Sequence, residues 1–249
     1  MNEYINYLIL ILVGLFAGIV NTLAGGGSIL TLPILIFMGL PPAYANGTNR
    51  VGVFLQTFTG VIGFKSKGVS VMPYGLYWGL SAMIGSIIGA NLAIDIKAET
   101  FNQILGIVII FVVLLTIQKP KNIEQKIERV KGKNLWISLF LFFLIGVFGG
   151  FIQAGAGLFI MLVLSQINHI SLVKSNAVKS MIVAVYTFAA LMVFIYYDEV
   201  NWVYGLLLAL GQSVGAWFTS RWSVKKDDNL IRFFLIVVAF GMAIKLWFF

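Results

Sequence analysis

The chain has no cysteine, one histidine and only nine acidic residues among its 249. Without cysteine there is no disulfide framework, no thiolate nucleophile and no thiolate metal site. A lone histidine, His169, falls short of the classical zinc ligand sets. Charged residues make up 10% of the chain, against about 25% in an ordinary soluble domain. The nine carboxylates (Glu3, Asp95, Glu99, Glu124, Glu128, Asp198, Glu199, Asp227 and Asp228) fall in tails, loops or the ends of apolar runs. That leaves neither a paired-carboxylate acid–base site nor a carboxylate proton relay inside any run. With no phosphate-binding P-loop either, an enzyme is not expected.

What the chain does have is apolar surface. Hydrophobic residues reach 60% and the mean hydropathy is +0.97. A fold of 27.5 kDa cannot hide that much apolar area from water, so lipid must solvate most of it. Ten apolar runs follow: Tyr4–Leu23, Ile29–Leu40, Ala43–Phe64, Met72–Ala93, Thr100–Gln118, Leu135–Gln153, Leu158–Ile167, Val173–Tyr196, Trp202–Ser220 and Leu230–Phe248. Eight approach the roughly 20 residues that a crossing helix needs. The second and seventh are short, and each follows a glycine cluster: Gly25-Gly26-Gly27 and Gly155-Ala156-Gly157. Asn2 and Glu3 stand where a signal peptide would carry positive charge, so the first run is expected to stay as a membrane helix.

The two halves repeat. One offset places Gly14 on Gly146, Phe16 on Phe148, Gly18 on Gly150, Asn21 on Gln153 and Ala24-Gly25 on Ala156-Gly157. Slightly shorter offsets place Arg50 on Lys179, Tyr74-Gly75-Leu76 on Tyr204-Gly205-Leu206 and Gly85 on Gly215. The expectation is an all-α integral membrane protein of two repeats, 1–118 and 135–249, with about five helical segments each. Residues 119–134 join them, carrying Lys119, Lys121, Lys126, Arg129, Lys131 and Lys133 against Glu124 and Glu128. The positive-inside rule puts that linker in the cytoplasm and, with ten crossings, both termini outside. An odd number of segments per repeat makes the repeats inverted. Segments one and two, and six and seven, either cross fully or form re-entrant hairpins. The net charge of +8 belongs mostly to cytoplasmic loops facing anionic lipid, so no nucleic-acid partner is expected.

Two stretches carry the candidate chemistry. In Asn21-Thr22-Leu23-Ala24-Gly25-Gly26-Gly27-Ser28, glycines break a helix, and a new helix beginning at Ser28 would aim free N–H groups and its positive dipole end at an anion. Unwound backbone at membrane depth survives only when buried or lining a cavity. The pseudo-equivalent positions are Gln153 and Gly157. The second stretch ends in Gly47-Thr48-Asn49-Arg50, with Asn176 and Lys179 as its counterparts. Intramembrane cations generally face a pathway or a partner, and here no acid lies within the runs. An anionic substrate is favoured and a cation pathway disfavoured. Gln56 and Tyr186 either line a cavity or serve as helix contacts, with helix contact favoured.

The pattern Gly14-x-x-x-Gly18-x-x-Asn21-x-x-Ala24-Gly25-Gly26-Gly27-Ser28, followed by Pro33, Gly39, Pro41-Pro42 and Gly47-Thr48-Asn49, resembles the sulfite exporter TauE/SafE family along essentially the whole chain. The second half departs from the glycine-rich pattern: Phe159 replaces a further glycine, and Asn176-Ala177 replaces a Gly-Thr pair. The resemblance implies a transporter, in export mode, of small sulfur-containing anions such as sulfite, thiosulfate or organosulfonates in a prokaryotic cell membrane. It implies no cofactor. The expected substrate-binding residues are Asn21, Gly25, Gly26, Gly27, Ser28, Thr48, Asn49, Arg50, Gln153, Gly157, Asn176 and Lys179, working by alternating access. A passive anion channel and a non-transporting membrane subunit are the alternatives. A coupling ion (proton or sodium) and a homo-oligomer stay open.

Overall fold

A computed structural model describes residues 3–117 and 128–225 of the chain. Every element among them is helical. The helices are α1 (Glu3–Ala24), α2 (Ser28–Phe37), α3 (Pro42–Lys65), α4 (Tyr74–Ile94), α5 (Ala98–Ile117), α6 (Lys133–Ile152), α7 (Ala156–Leu162), α8 (Leu172–Tyr196) and α9 (Trp202–Trp222). A π-helical turn, Val163–Ile167, extends α7, and a 3-10 turn, Ser223–Lys225, follows α9. The tenth run, Leu230–Phe248, and most of the basic linker lie outside the described residues.

The breaks fall where the glycines are. Gly25 (φ +80°) ends α1 and Gly155 (φ +78°) precedes α7, both in left-handed backbone that favours glycine. Helix α2 stops in a Schellman motif: Leu40 N–H donates to Leu35 C=O and Gly39 N–H to Ile36 C=O, with Gly39 at φ +94°. Pro41 caps α3 and Pro42 opens it, where a missing N–H is harmless.

Helices α1, α4, α6 and α8 are long and apolar enough to cross a membrane. Helices α3 and α9, at 24 and 21 residues, have the length but carry polar faces. Asn46, Asn49, Arg50 and Gln56 on α3, and Gln212 and Ser220 on α9, are buried. Outward positions are large and apolar instead, among them Phe16, Ile84, Phe140 and Phe218. A polar interior under an apolar skin is what hydrocarbon solvent selects.

Helix packing repeats between the halves. Helix α1 packs on α9 as α6 packs on α4, α3 on α9 as α8 on α4, and α2 on α3 as α7 on α8. Helices α3 and α8 meet at the centre. Glycine lets backbones approach closely at these seams. A Cβ on Gly85 or Gly89 of α4 would overlap the backbone of Phe143 or Val147 in α6, and one on Gly211 or Gly215 of α9 would overlap Ile11 or Leu15 in α1. The string Gly211-Gln212-Ser213-Val214-Gly215 spells the nucleophile elbow of serine hydrolases. It lies inside α9, and its glycines are packing surface.

The end of the linker docks on the turn after α7. Arg129 N–H donates to Asn168 C=O at 2.8 Å, Asn168 Nδ2 returns a bond to Arg129 C=O at 3.0 Å, and Val130 is buried. Lys174 pairs with Glu128 at 2.8 Å on the surface.

Candidate functional site

The two helix breaks meet. A Cβ added to Gly25 would overlap the backbone of Gly157, and one added to Gly157 would overlap that of Gly25. These two residues are the ones that the sequence offset matches. Each break leaves the last carbonyls of a long helix, α1 or α6, inside the protein without helical N–H partners, and such groups demand donors.

Arg50 and Lys179 supply them, crosswise. Arg50, on α3 of the first half, donates from Nη1 to Gly149 C=O and to Gln153 Oε1, both at 3.1 Å. Its Nη2 donates to Gly150 C=O and, at 3.3 Å, to Asn46 Oδ1. Gly149 and Gly150 belong to the last turn of α6. Lys179, on α8 of the second half, donates from Nζ to Asn21 C=O at 2.9 Å, to Thr22 C=O at 3.0 Å and to Asn176 Oδ1 at 2.7 Å. Asn21 and Thr22 belong to the last turn of α1. Each half thus places a cation on the negative end of the other half's broken helix, the end where positive charge is favourable. Arg50 is 0% exposed and Lys179 2%, so neither extends to an interface. Arg50 also stacks over Phe194, 4.8 Å from the ring centre. The single ion pair among the described residues is Lys174–Glu128, so both buried charges are met by dipoles.

Second contacts follow the repeat as well. Asn21 Nδ2 donates to Gln56 Oε1 at 2.6 Å, and Gln56 Nε2 to Thr22 Oγ1 at 3.4 Å. In the other half Gln153 Nε2 donates to Tyr186 Oη at 3.2 Å and to Thr187 Oγ1 at 3.5 Å. Gln153 is the residue after α6 and stands at φ +48°, unusual for a side chain with Cβ.

At the first break, Gly26, Gly27 and Ser28 are buried, and their N–H groups make no hydrogen bond among the described residues. They open the ten-residue helix α2. Asn49 ties that start to α3: its Nδ2 donates to Ser28 Oγ at 3.1 Å, and its Oδ1 accepts from Thr31 Oγ1 at 2.5 Å.

The structure therefore gathers Asn21, Gly25–Ser28, Asn49, Arg50, Gln153, Gly157, Asn176 and Lys179 around the paired breaks. Thr48 lies apart. Its hydroxyl donates to Tyr44 C=O at 2.6 Å and accepts from Asn201 N–H at 2.9 Å, at the turn between α8 and α9. Sequence reasoning left Asn46, Thr22, Thr31 and Thr187 out of the site, and favoured helix contact over cavity lining for Gln56 and Tyr186. The repeat held the signal: the offset that carries Tyr74 to Tyr204 also carries Asn46 to Asn176, Gln56 to Tyr186 and Thr57 to Thr187, and it sets Asn49, the neighbour of Arg50, on Lys179. No cluster of metal-ligating side chains occurs among the described residues.

The family model described as Sulfite exporter TauE/SafE matches residues 10–246. The chain is 30% identical over 239 residues to the "Probable membrane transporter protein YfcA" of Escherichia coli (strain K12), covering 96% of this chain and 88% of that one. It is 28% identical over 230 residues to the "Probable membrane transporter protein ORF9" of Sinorhizobium sp, covering 92% and 88%. To the "Probable membrane transporter protein YunE" of Bacillus subtilis (strain 168) it is 22% identical over 261 residues, covering 94% and 96%. No solved structure matches the chain. With its helices apolar enough to cross lipid and its full-length agreement with these proteins, the chain is a multi-pass membrane protein that belongs to the sulfite exporter TauE/SafE family.

Proposed function

We propose that the protein transports a small sulfur-containing oxyanion (sulfite, thiosulfate or an organosulfonate) outward across a bacterial cell membrane. The observation that carries this is the meeting of two helix breaks, Gly25 on Gly157, between two buried cations with no carboxylate partner among the described residues. Net positive charge and free N–H groups in a low-dielectric interior attract an anion and repel a cation. The membrane transporter names of the relatives and the family's sulfite-exporter description support the substrate class.

In this mechanism the halves 1–118 and 135–249 are inverted repeats that rock about the Gly25–Gly157 contact, alternately opening the site to each side. The exchange symmetry of the helix packing supports it. The N–H groups of Gly26, Gly27 and Ser28, with Gly157 opposite, bind oxygens of the anion. Asn21, Asn49, Gln153 and Asn176 shape the site, while Arg50 and Lys179 provide its positive field. Thr48 serves the α8–α9 turn instead. The linker 119–134 is cytoplasmic and both termini are outside.

The test is reconstitution in proteoliposomes with a panel of sulfite, thiosulfate, methanesulfonate, chloride and sodium. Saturable flux of a sulfur oxyanion is expected. Flux of chloride alone, or no flux of any sulfur oxyanion, would overturn the assignment.

A further inference from the structure

The two ends of the site differ in whether their cationic and hydroxyl side chains keep a free donor. Around the end of α1 they do not, and the free donors there are the backbone N–H groups of Gly26, Gly27 and Ser28. All three protons of Lys179 Nζ have acceptors. Gln56 Nε2 donates to Thr22, and the Thr57 hydroxyl donates back to Val53 C=O at 2.8 Å. Around the end of α6 they do. Arg50 Nε is buried and has no partner. Tyr186 Oη and Thr187 Oγ1 both accept from Gln153 Nε2, so their lone pairs are engaged while their protons are not. Even if one hydroxyl donated to the other, one proton would be left. Both residues are 0% exposed.

These groups surround the end of α6. Gln153 bridges Arg50 on one side and the two hydroxyls on the other, and its orientation is fixed because arginine can only donate. The Tyr186 hydroxyl also lies where a Cβ on Gly149 would be, about 3.0 Å away, and Gly149 C=O is itself held by Arg50. A buried donor without an acceptor costs free energy, and several around one residue of unusual φ call for a ligand that only accepts.

We infer that Tyr186 and Thr187, together with Arg50 Nε, are direct ligands of the transported anion, with Gln56, Thr57 and Lys179, which gather at the end of α1, acting as structural groups. This rests on the proposed transport of a sulfur oxyanion and assigns its side-chain contacts to one half of the site. A tetrahedral or pyramidal oxyanion with several acceptor oxygens matches the arrangement. Chloride offers no set of separate oxygens to satisfy diverging donors.

The test uses the full chain in proteoliposomes and in detergent, with sulfite, thiosulfate and methanesulfonate as probes. Half-saturation and maximal flux are measured for wild type, Tyr186→Phe, Thr187→Val and Thr57→Val. Unfolding midpoints are measured with and without each anion. Loss of one hydrogen bond to a charged group raises half-saturation by about ten-fold or more. That rise is expected for Tyr186→Phe and Thr187→Val, with unliganded midpoints near wild type. Thr57→Val, at the equivalent position of the other half, should keep the wild-type value. Wild-type half-saturation in both second-half variants, or an equal loss in Thr57→Val, would overturn the inference and leave transport standing. Thr187→Val is nearly isosteric and decides the matter if Tyr186→Phe misfolds. A wild-type protein that neither moves nor is stabilised by any of the three anions would remove the transport proposal and this inference together.

Discussion

Replacing Arg50 by methionine removes the charged donors at the end of α6 and leaves Asn46 Nδ2, on Phe151 C=O at 2.7 Å, as the remaining side-chain donor to its last turn. Four acceptors lose a charged partner: the carbonyls of Gly149 and Gly150, Gln153 Oε1 and Asn46 Oδ1. All lie in a region closed to water, so none regains a bond by hydration. Deleting the charge also removes its own desolvation penalty, which offsets part of the loss. Breaking a buried charged contact by removing one side nets about 3–5 kcal/mol of destabilisation, a large share of the stability of an ordinary domain. Arg50→Lys should be milder. Lys179 meets three acceptors at the other broken helix with one ammonium, so a lysine can serve three of the four. It should cost about 1.5–3 kcal/mol, the value of one charge-assisted bond. Chemical unfolding in micelles, followed by helical circular dichroism, separates the two. Methionine within about 1 kcal/mol of wild type, or lysine as damaging as methionine, would refute the reading of Arg50 as the cap of a broken helix.

Three other outcomes follow from the same geometry. Gly89→Val drives a side chain into the backbone of Val147 and Phe151, and Gly215→Val does the same at the α1–α9 seam; each should lower stability by about 1–3 kcal/mol or more, and a matched loss in thermal midpoint would show that the two seams are equivalent. Because the chain lacks cysteine, single cysteines at Asn2 and Gln125 can be labelled with an impermeant maleimide in intact cells; Asn2→Cys should react and Gln125→Cys should not, and reaction of both from one side would end the inverted arrangement. Partial burial raises the Glu199 carboxyl above its usual range. A raised folded value favours the protonated acid, so this contribution is present below the unfolded value and is lost as pH rises through the folded one. Glu199→Gln should therefore flatten the fall in thermal midpoint through the carboxylate range, and an unchanged slope would count against that burial.

Much of the architecture was legible in the chain because its signals are local. The nine described helices follow the first nine apolar runs closely, since run length and glycine or proline punctuation act within a few residues. The short second and seventh runs became α2 and α7 behind glycine breaks, for the reason read from the sequence. The paired glycines were visible too, but their role differed by position: Gly25 and Gly157 meet each other, whereas Gly14, Gly18, Gly146 and Gly150 hold helix seams together. Thr48 shows where local spacing misleads. It is next to Asn49 in the chain, yet one residue turns a helix by about 100°, and its hydroxyl serves a different region.

The sequence by itself determined that the protein lives in lipid, that glycine clusters precede its second and seventh apolar runs, and that its apolar runs as a set carry basic residues but no acidic ones. Those facts rest on composition and order, which need no coordinates. Only the tertiary structure decided what the cations do. Arg50 and Gly149 are 99 residues apart, and Lys179 and Asn21 are 158, so no local pattern could reveal that each caps a helix of the other half. The same holds for the surplus donors around Gln153. Whether a buried proton has an acceptor depends on which helices meet, and that is settled by packing.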